Sequence, residues 1–464
     1  MKTESACAPG THKVRRATLG CKRAEGWKLQ ATGKRVRRAD VKRLGRGPED
    51  PSLSGVGGLV GFNAFLQGER FGAQLARCFG HLKRGRKVVY PMHTQLQLLL
   101  DAAVVGAHRV FDLEWLATDP IFTHLAGGAV PSIDVLYDDL RRFQPEDLET
   151  LELMLAEQGL RAVRQQRLER ITLDIDSTVE PLFGEQEDAV PGYNPRFHGR
   201  PSYHPLLARV AETNTVIGAR LRPGNTTLGE ADVEDISSWV ERVRDASPHA
   251  IITARIDAAG DCGPILEALH SKQAFFVAKM RQTSNLLGAA MLAQDWVSVD
   301  EDADGNSTRE VTVLDFRRED WLAGQFRVIA VRDNDRRSGR QTCLWEGLDH
   351  SVQFFVTNDL LSDPDDLARF YDARAGIEPL IGELKHGFGI GKVPTSDFAA
   401  NEVAFLLKLL AFNLLRRWVT QELPQVAYWH TAWIRRACIC IPARLLRTGG
   451  RWLLRMAAGR RLLN

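Results

Sequence analysis

The chain has 464 residues and a net charge of +3, and 44 % of its residues are hydrophobic, as in globular proteins. This length accommodates about three domains of ordinary size. No run approaches the roughly 18 consecutive apolar residues of a transmembrane helix, and the N-terminus lacks the apolar core of a signal peptide, so we expect a cytoplasmic protein without a membrane partner.

The positive charge is concentrated at the N-terminus. Residues 1–47 contain fourteen lysines and arginines, whereas their acidic residues are Glu4, Glu25 and Asp40. A basic segment of this kind can bind a phosphate backbone by releasing its counterions, and it can equally be a solvated tail. The sequence predicts a basic, disordered arm over residues 1–50 and leaves both roles open.

Residues 51–168 have the pattern of a helical region. After a turn-rich stretch from Pro51 to Gly61, apolar residues recur with helical spacing in successive segments. The predicted helices are Phe62–Lys83, His93–Val105, Ile133–Phe143 and Pro145–Leu168.

The pattern changes at Arg170 to short apolar strands that alternate with helices, which predicts an α/β sheet. This sheet domain would comprise residues 169–288 and 346–425, with long amphipathic helices at Pro364–Leu384 and Asn401–Thr420. Residues 289–345 are strand-like with polar turns, which predicts an inserted β-rich region. Residues 426–464 are rich in arginine and are predicted to form a basic helical tail. The strands predicted in the first part of the sheet domain are Ile171–Ile175, Asn214–Leu221, Ala250–Ile256 and Ala274–Lys279.

Two aspartates lie in the first of these strands. Three apolar residues alternate there with Thr172, Asp174 and Asp176, and a period of two places both carboxylates on one face. In a sheet covered on both faces, neighbouring carboxylates repel each other unless a cation lies between them, which favours a hard metal ion such as Mg²⁺. A solvated edge strand is the alternative.

A third aspartate, Asp257, ends the apolar strand Ala250–Ile256 directly before a turn. Ligands of open α/β sheets collect at the carboxyl ends of strands, which makes Asp257 a candidate. An aspartate at this place can also cap the next helix, and Asp261 is a rival candidate.

The predicted helix Pro364–Leu384 carries the fourth signal. At about 100° per residue, Tyr371, Arg374, Glu378 and Lys385 fall on one stripe, opposite a cluster of apolar residues. The helix would thus present a carboxylate flanked by two cations and a phenol, and a solvated charged face with i,i+4 pairs has the same pattern.

These motifs occur in the order Asp-Ser-Thr, Arg-Ile-Asp257 and Tyr-x2-Arg-x3-Glu-x6-Lys. This combination resembles the bacterial insertion-sequence transposases of the DDE type with the YREK signature. The segments LDIDST, FGEQEDAVPGYNPRFHGRPSYHPLL, LRPGN and AFNLLRRW further resemble the group named after insertion sequence thirteen-eighty.

The resemblance implies a ribonuclease H-like mixed-sheet catalytic core with an inserted β region, preceded by a helical DNA-binding region. It implies an enzyme that cleaves DNA at the terminal inverted repeats of its element and transfers the 3′ ends to target DNA. Two Mg²⁺ ions, which Mn²⁺ can replace, would support this chemistry. The partners would be transposon-end and target DNA and a second copy of the chain in a synaptic dimer, in the bacterial cytoplasm at the nucleoid.

The same resemblance assigns roles to individual residues. Asp176, which directly precedes Ser-Thr, matches the first catalytic metal ligand, with Asp174 as the fallback. Asp257 and Glu378 match the second and third, and Tyr371, Arg374 and Lys385 match residues that grip DNA phosphates.

One departure is that Ala258-Ala259-Gly260-Asp261 lacks the aromatic residue that similar proteins have after the second aspartate. Two other functions are compatible with the same fold. One is a decayed or domesticated transposase that binds DNA without cutting it, and the other is a nuclease that does not transfer strands.

Overall fold

The computed structural model describes residues 47–194, 197–321, 326–333 and 351–457. Three predicted features lie outside these ranges, namely the basic arm up to residue 46, the strand-like piece Gln341–Trp345 and the last residues, 458–464.

The described elements are numbered in chain order. The helices are α1 (Leu59–Gly68), α2 (Phe71–Phe79), α3 (Met92–Val105), α4 (Leu113–Leu116), α5 (Pro120–Leu125), α6 (Ile133–Leu140), α7 (Pro145–Gln166), α8 (Val233–Ala246), α9 (Gly263–Ser271), α10 (Ser284–Leu292), α11 (Pro364–Asp372), α12 (Ile377–Glu383), α13 (Phe398–Glu422) and α14 (Thr431–Ile434). The strands are β1 (Leu53–Ser54), β2 (Arg170–Ser177), β3 (Glu180–Pro181), β4 (Val190–Pro191), β5 (Pro201–Tyr203), β6 (Leu206–Val210), β7 (Thr215–Arg220), β8 (Ile251–Ile256), β9 (Phe275–Lys279), β10 (Val297–Glu301), β11 (Ser307–Leu314), β12 (Arg327–Asp333), β13 (Ser351–Thr357), β14 (Ala443–Thr448) and β15 (Arg451–Met456).

A nine-stranded mixed sheet organises the molecule, in the order β10-β11-β12-β13-β9-β8-β2-β6-β7. Strands β2, β8 and β9 are parallel to one another, and every other neighbouring pair is antiparallel. Helices α8 and α9 lie between the parallel strands in the chain, as parallel connections require. This mixed α/β architecture fits the ribonuclease H-like core that the resemblance implies.

The two faces of β2 differ in what covers them. Ile171, Leu173 and Ile175 are fully buried in the core that β2 shares with α8 and α9. Asp174 and Asp176 point to the opposite face, where α11 packs at the β9 side and α13 at the β7 side. The alternation predicted from the sequence therefore places both carboxylates between two helical layers.

The N-terminal region is helical, as predicted, over the described residues from α1 to α7. The predicted helix Phe62–Lys83 is divided in two, because Arg70 adopts a left-handed conformation with φ of 52° between α1 and α2. Helix α7 begins with Pro145 at its first turn, and Asp147 accepts a hydrogen bond from the backbone N–H of Gln144. Both features are favourable at a helix N-terminus.

The predicted β-rich insertion is continuous with the core. Strand β13 pairs with β9 at Phe355 and Lys279, and β12, β11 and β10 follow it outward in antiparallel order. Among the described residues, this region therefore enlarges the central sheet and does not form a sheet of its own.

The C-terminal tail differs from the helix that we predicted for residues 426–464. It contains the short helix α14 and then a hairpin of β14 and β15, which pairs with β1 near the start of the helical region. Leu445 and Leu454 lie opposite each other and pack against the main core, so apolar alternation with period two determines the structure here.

Helix α13 is long and apolar enough to cross a membrane by length and composition. It is, however, 83 % buried inside the protein over its most apolar window, and it contacts α3, α7 and β7. We therefore interpret it as the central core helix that joins the N-terminal region to the sheet.

A buried carboxylate in α3 makes stability depend on pH. Asp101 is only 5 % exposed, accepts a hydrogen bond from Asn63 Nδ2 at 3.0 Å, and has a pKa that burial raises from 3.8 to about 7. The folded protein thus holds this proton more tightly than the unfolded chain does, and the free energy of unfolding falls as the pH rises through this range. We expect Asp101→Asn to remove that fall, so that the variant is more stable than wild type by up to about 4 kcal/mol above neutral pH.

Urea unfolding across this pH range measures the effect, with Asp134→Asn as a control at an exposed aspartate of α6. A pH slope that is unchanged in Asp101→Asn would contradict the assignment.

Candidate active site

Asp176 and Asp257 lie side by side because of the register of two parallel strands. Strand β2 pairs with β8 so that Ile175 is opposite Ile256, and the next residue on each strand is an aspartate. Neighbouring strands are about 4.8 Å apart, so the two carboxylates share one end of the sheet. The backbone N–H of Ala259 donates to the Asp257 carboxylate at 3.0 Å, which fixes Asp257 at the start of a 3-10 turn.

A guanidinium group lies against both carboxylates. Arg374 Nη2 is 2.7 Å from Asp176 Oδ1 and 3.7 Å from Asp257 Oδ2. Because the two aspartates would otherwise repel each other, the arrangement needs a positive charge at this point. The structure therefore shows a carboxylate pair that accepts a cation.

The environment of Asp176 disfavours its ionised form. Burial is the main cause that raises its pKa to about 6; Arg374 opposes the shift, and Asp257 and Glu378 add to it. The side chain of Asp176 is 11 % exposed and that of Asp257 is 33 % exposed, so the site opens on the Asp257 side. The ionised form of such a carboxylate is stabilised when a further positive charge approaches.

Asp174, the fallback for the first ligand, has a different role. It is fully buried and binds two arginines, Arg209 at 2.9 Å and Arg255 at 2.6 Å. The register explains this cluster, because Asp174 is paired with Arg209 on β6 and with Arg255 on β8. The negative charge of Asp174 is therefore paired by an arginine on each neighbouring strand. The carboxylate that lies beside Asp257 is that of Asp176.

The two arginines also hold the segment that carries Arg374. Arg209 Nη1 donates to the carbonyl oxygen of Gly376 at 2.6 Å, and Arg255 Nη1 donates to that of Phe370 at 2.8 Å. Neither arginine was among the site residues predicted from the sequence, although Arg255 lies in the motif Arg-Ile-Asp257. A signal was present, since Arg255 interrupts an otherwise apolar strand two residues before Asp257.

Asp261, the rival of Asp257, belongs to another contact. Its carboxylate binds the guanidinium of Arg318 and accepts a hydrogen bond from the backbone N–H of Arg281 at 3.0 Å. These bonds tie the turn after β8 to the region that follows β9 and β11, away from the Asp176 carboxylate.

The predicted helix Pro364–Leu384 is not one continuous α-helix, which corrects the stripe calculated at about 100° per residue. Helix α11 ends at Asp372, a 3-10 turn follows at Ala373–Gly376, α12 resumes, and a π-helical turn covers Leu384–Phe388. Pro379 lacks the N–H that would bond to the carbonyl of Ala375, and this loss favours the tighter turn before it.

This interruption sends the four stripe residues to different surroundings. Tyr371 is 7 % exposed and packs on Phe355 with 4.9 Å between the ring centroids, and burial raises its pKa to about 12. Lys385 donates to the carbonyl oxygen of Val179 at 2.9 Å and pairs with Glu180 at 3.1 Å.

Glu378 is exposed on the first turn of α12. Its charge contributes to the raised pKa of Asp176, so it belongs to the same neighbourhood. Of the three predicted ligands, the structure thus joins Asp176 and Asp257 through Arg374 and leaves Glu378 on the adjoining surface.

Comparison with known proteins gives the family. A family model described as transposase DDE domain group 1 matches residues 42–460, which is most of the chain. The chain belongs to the DDE transposases. This transposase is by class an enzyme that cuts and joins DNA.

No curated protein matches the transposase significantly in sequence. Among solved structures, it is similar to a piggyBac transposase determined in a synaptic complex with hairpin DNA. The two chains are 11 % identical, the match covers 82 % of this chain and 78 % of that one, and the TM-score is 0.44.

DDE transposases generally use divalent metal ions. The side chains of this transposase can therefore be compared with the ligands that such an ion requires. Across residues 47–194, 197–321, 326–333 and 351–457, no three Asp, Glu, His or Cys side chains form a ready-made metal site. Asp176 and Asp257 nevertheless supply adjacent hard oxygen donors with a cation already between them. These two residues fit a divalent ion, and the exposed Glu378 lies close enough to influence the charge of Asp176.

Proposed function

We propose that this transposase cleaves DNA at the terminal inverted repeats of its insertion sequence and transfers the freed 3′ ends to target DNA. The observation that carries the proposal is the parallel register that sets Asp176 beside Asp257, with Arg374 against both. Family membership supplies the class of reaction, and this pair supplies the place where it occurs.

Asp176, Asp257 and Glu378 would hold two Mg²⁺ ions, for which Mn²⁺ can substitute. Bound there, the ions would activate the attacking water or 3′-hydroxyl and stabilise the leaving oxygen. Arg374 neutralises the carboxylate pair in the absence of DNA and is placed to contact a backbone phosphate beside it. Lys385 is the second phosphate contact, and Tyr371 fixes the start of the segment that carries Arg374.

The wider assignments belong to the same proposal. The YREK pattern and the segments LDIDST and LRPGN support membership of the insertion sequence thirteen-eighty group. Joining two transposon ends requires a synaptic dimer that binds end and target DNA, and such a protein acts at the bacterial nucleoid. The helical region from α1 to α7 and the basic ends of the chain would bind the inverted repeats.

A gel assay with a transposon-end duplex, a shuffled duplex and a supercoiled target tests the proposal. We expect Mg²⁺-dependent cleavage of the end duplex and transfer of its 3′ end to the target, with no cleavage of the shuffled duplex. We expect Glu378→Gln to reduce cleavage by on the order of a thousandfold, which corresponds to about 4 kcal/mol of transition-state stabilisation.

The same assay addresses two other functions. One of them is a decayed transposase that binds DNA without cutting it. Such a protein would bind the end duplex and leave it intact. Cleavage without end specificity or strand transfer would instead indicate a nuclease.

A further inference from the structure

The C-terminal hairpin carries an unusual concentration of positive charge. Residues 443–456 contain Arg444, Arg447, Arg451 and Arg455 and no carboxylate. The inserted β region and the helices near the active site pair most of their arginines with aspartate or glutamate, as Arg309, Arg318 and Arg369 show. Within the hairpin, three of the arginines lie on one face.

The strand register defines this face. Arg444 of β14 is directly opposite Arg455 of β15, and Thr448 is opposite Arg451. Because side chains alternate along a strand, the same face carries the opposed pair Leu446 and Leu453. We call this set the outer face of the hairpin, and its three arginines are exposed.

The other face anchors the hairpin to the protein. Leu445, Leu454 and Met456 pack against the main core, and β1 pairs with β14 along its inner edge. At the tip, the ring of Trp452 lies 4.7 Å from that of His124 in α5. The outer face is therefore presented on a rigid support that belongs to the helical region.

The arginines of the outer face destabilise the hairpin by mutual repulsion unless an anion binds there. Like charges directly opposite each other destabilise a strand pair, and within the part of the chain that the structure describes only Arg444 of these three arginines pairs with a carboxylate, that of Asp50 at 2.8 Å. Arg451 and Arg455 also lie on the outermost strand of this sheet, where charge discourages pairing with another strand. The face is thus poorly suited to strand addition and suited to a polyanion.

Its shape fits one polyanion in particular. Strands β14 and β15 form a two-stranded antiparallel ribbon with arginines at both ends of its outer face. The major groove of DNA is about 12 Å wide and accepts a two-stranded antiparallel ribbon. Arginines at the two ends of the outer face can then contact phosphates on both walls, while Leu446 and Leu453 face the base edges.

We propose that the outer face of the β14–β15 hairpin binds duplex DNA in the major groove. The inference rests on the proposed function, since a transposase must hold the DNA that it cuts and joins. It adds a specific binding element, made of Arg444, Arg451 and Arg455, to the helical region that supports it.

The test compares Arg451→Gln/Arg455→Gln with a matched double variant, Arg170→Gln/Arg317→Gln, which removes two exposed arginines at the start of β2 and after β11. Fluorescence anisotropy measures binding of a short mixed-sequence duplex, and of one of its single strands, at several salt concentrations. Two lost phosphate contacts should reduce the slope of log affinity against log salt by about 2, with roughly a tenfold or larger loss of duplex affinity. The control variant should bind as wild type.

A lysine variant separates charge from folding. Arg451→Lys/Arg455→Lys keeps both positive charges and should keep the salt slope, while melting curves report whether each variant remains folded. An unchanged slope in the glutamine variant, or an equal loss on single-stranded DNA, overturns the groove assignment while end cleavage by wild type still supports the proposed function. A wild-type protein that binds no duplex overturns both.

Discussion

Asp176→Asn and Asp257→Asn should each abolish cleavage of transposon-end DNA, with losses on the order of a thousandfold or more. Each change keeps the shape of the side chain and removes one of the two adjacent negative charges that lie against Arg374. If the carboxylates hold the ions that stabilise the reacting oxygens, either loss removes about 4 kcal/mol or more of transition-state stabilisation.

The measurement is single-turnover cleavage of an end duplex at saturating protein, with DNA binding followed in parallel. Binding should persist in both variants, because Arg374 and Lys385 keep their charges and the site loses a charge that repels phosphate. Asp372→Asn is the matched control. This aspartate is exposed at the end of α11, in the segment that carries Arg374, and it contacts Arg309 at 3.4 Å. Cleavage at the control rate in either Asp176→Asn or Asp257→Asn would falsify the assignment.

The sequence was sufficient to place the two central strands. Strand β2 alternates strictly and β8 is largely apolar, and both were predicted within a residue or two of their observed bounds. A strand-end aspartate before a turn also made Asp257 a candidate, and the structure sets it beside Asp176. The element β6 was not predicted, because Leu206–Val210 is a short apolar run that periodicity alone cannot assign.

This missing strand explains why Asp174 and Asp176 could not be separated from sequence. A period of two places both on one face, and only the neighbouring strands distinguish them. Arg209 on β6 and Arg255 on β8 align with Asp174, whereas Asp176 aligns with Leu207 on one side and lies next to Asp257 on the other. Register between distant segments is a tertiary property, and it determines which of the two carboxylates lies beside Asp257.

The helical stripe shows a second limit. Angles at about 100° per residue assume an uninterrupted α-helix, and Pro379 interrupts it, with a 3-10 turn before α12 and a π turn after it. The stripe grouped Arg374 with Glu378, and the charges of both affect the pKa of Asp176. It did not predict that Tyr371 would be buried or that Lys385 would pair with Glu180. Local geometry is thus predictable only up to the first break in the hydrogen-bond pattern.

The second large effect is expected for Asp174→Ala, on stability. The change leaves the guanidinium groups of Arg209 and Arg255 buried without their shared carboxylate. Removing one partner of a buried ion pair costs roughly 3–5 kcal/mol, and here one carboxylate serves two cations, so we expect a loss at the upper end of that range. Urea unfolding should show it, whereas Asp176→Asn should not lower stability at neutral pH, because burial raises the pKa of that carboxyl to about 6 and the folded protein therefore disfavours its ionised form.

A variant in which all three buried charges are replaced distinguishes two roles of the cluster. One is its contribution to stability, and the other is its anchoring of the segment that carries Arg374. Asp174→Leu combined with Arg209→Met and Arg255→Met replaces all three buried charges by apolar side chains of similar volume, which is often neutral or stabilising. We expect this triple variant to recover most of the stability that Asp174→Ala loses, yet to cleave DNA poorly, because the carbonyl oxygens of Gly376 and Phe370 lose their donors. Recovery of both stability and cleavage would show that the cluster serves folding alone. Recovery of stability without cleavage would show that Asp174, through its two arginines, positions the segment that brings Arg374 and Glu378 to the aspartate pair.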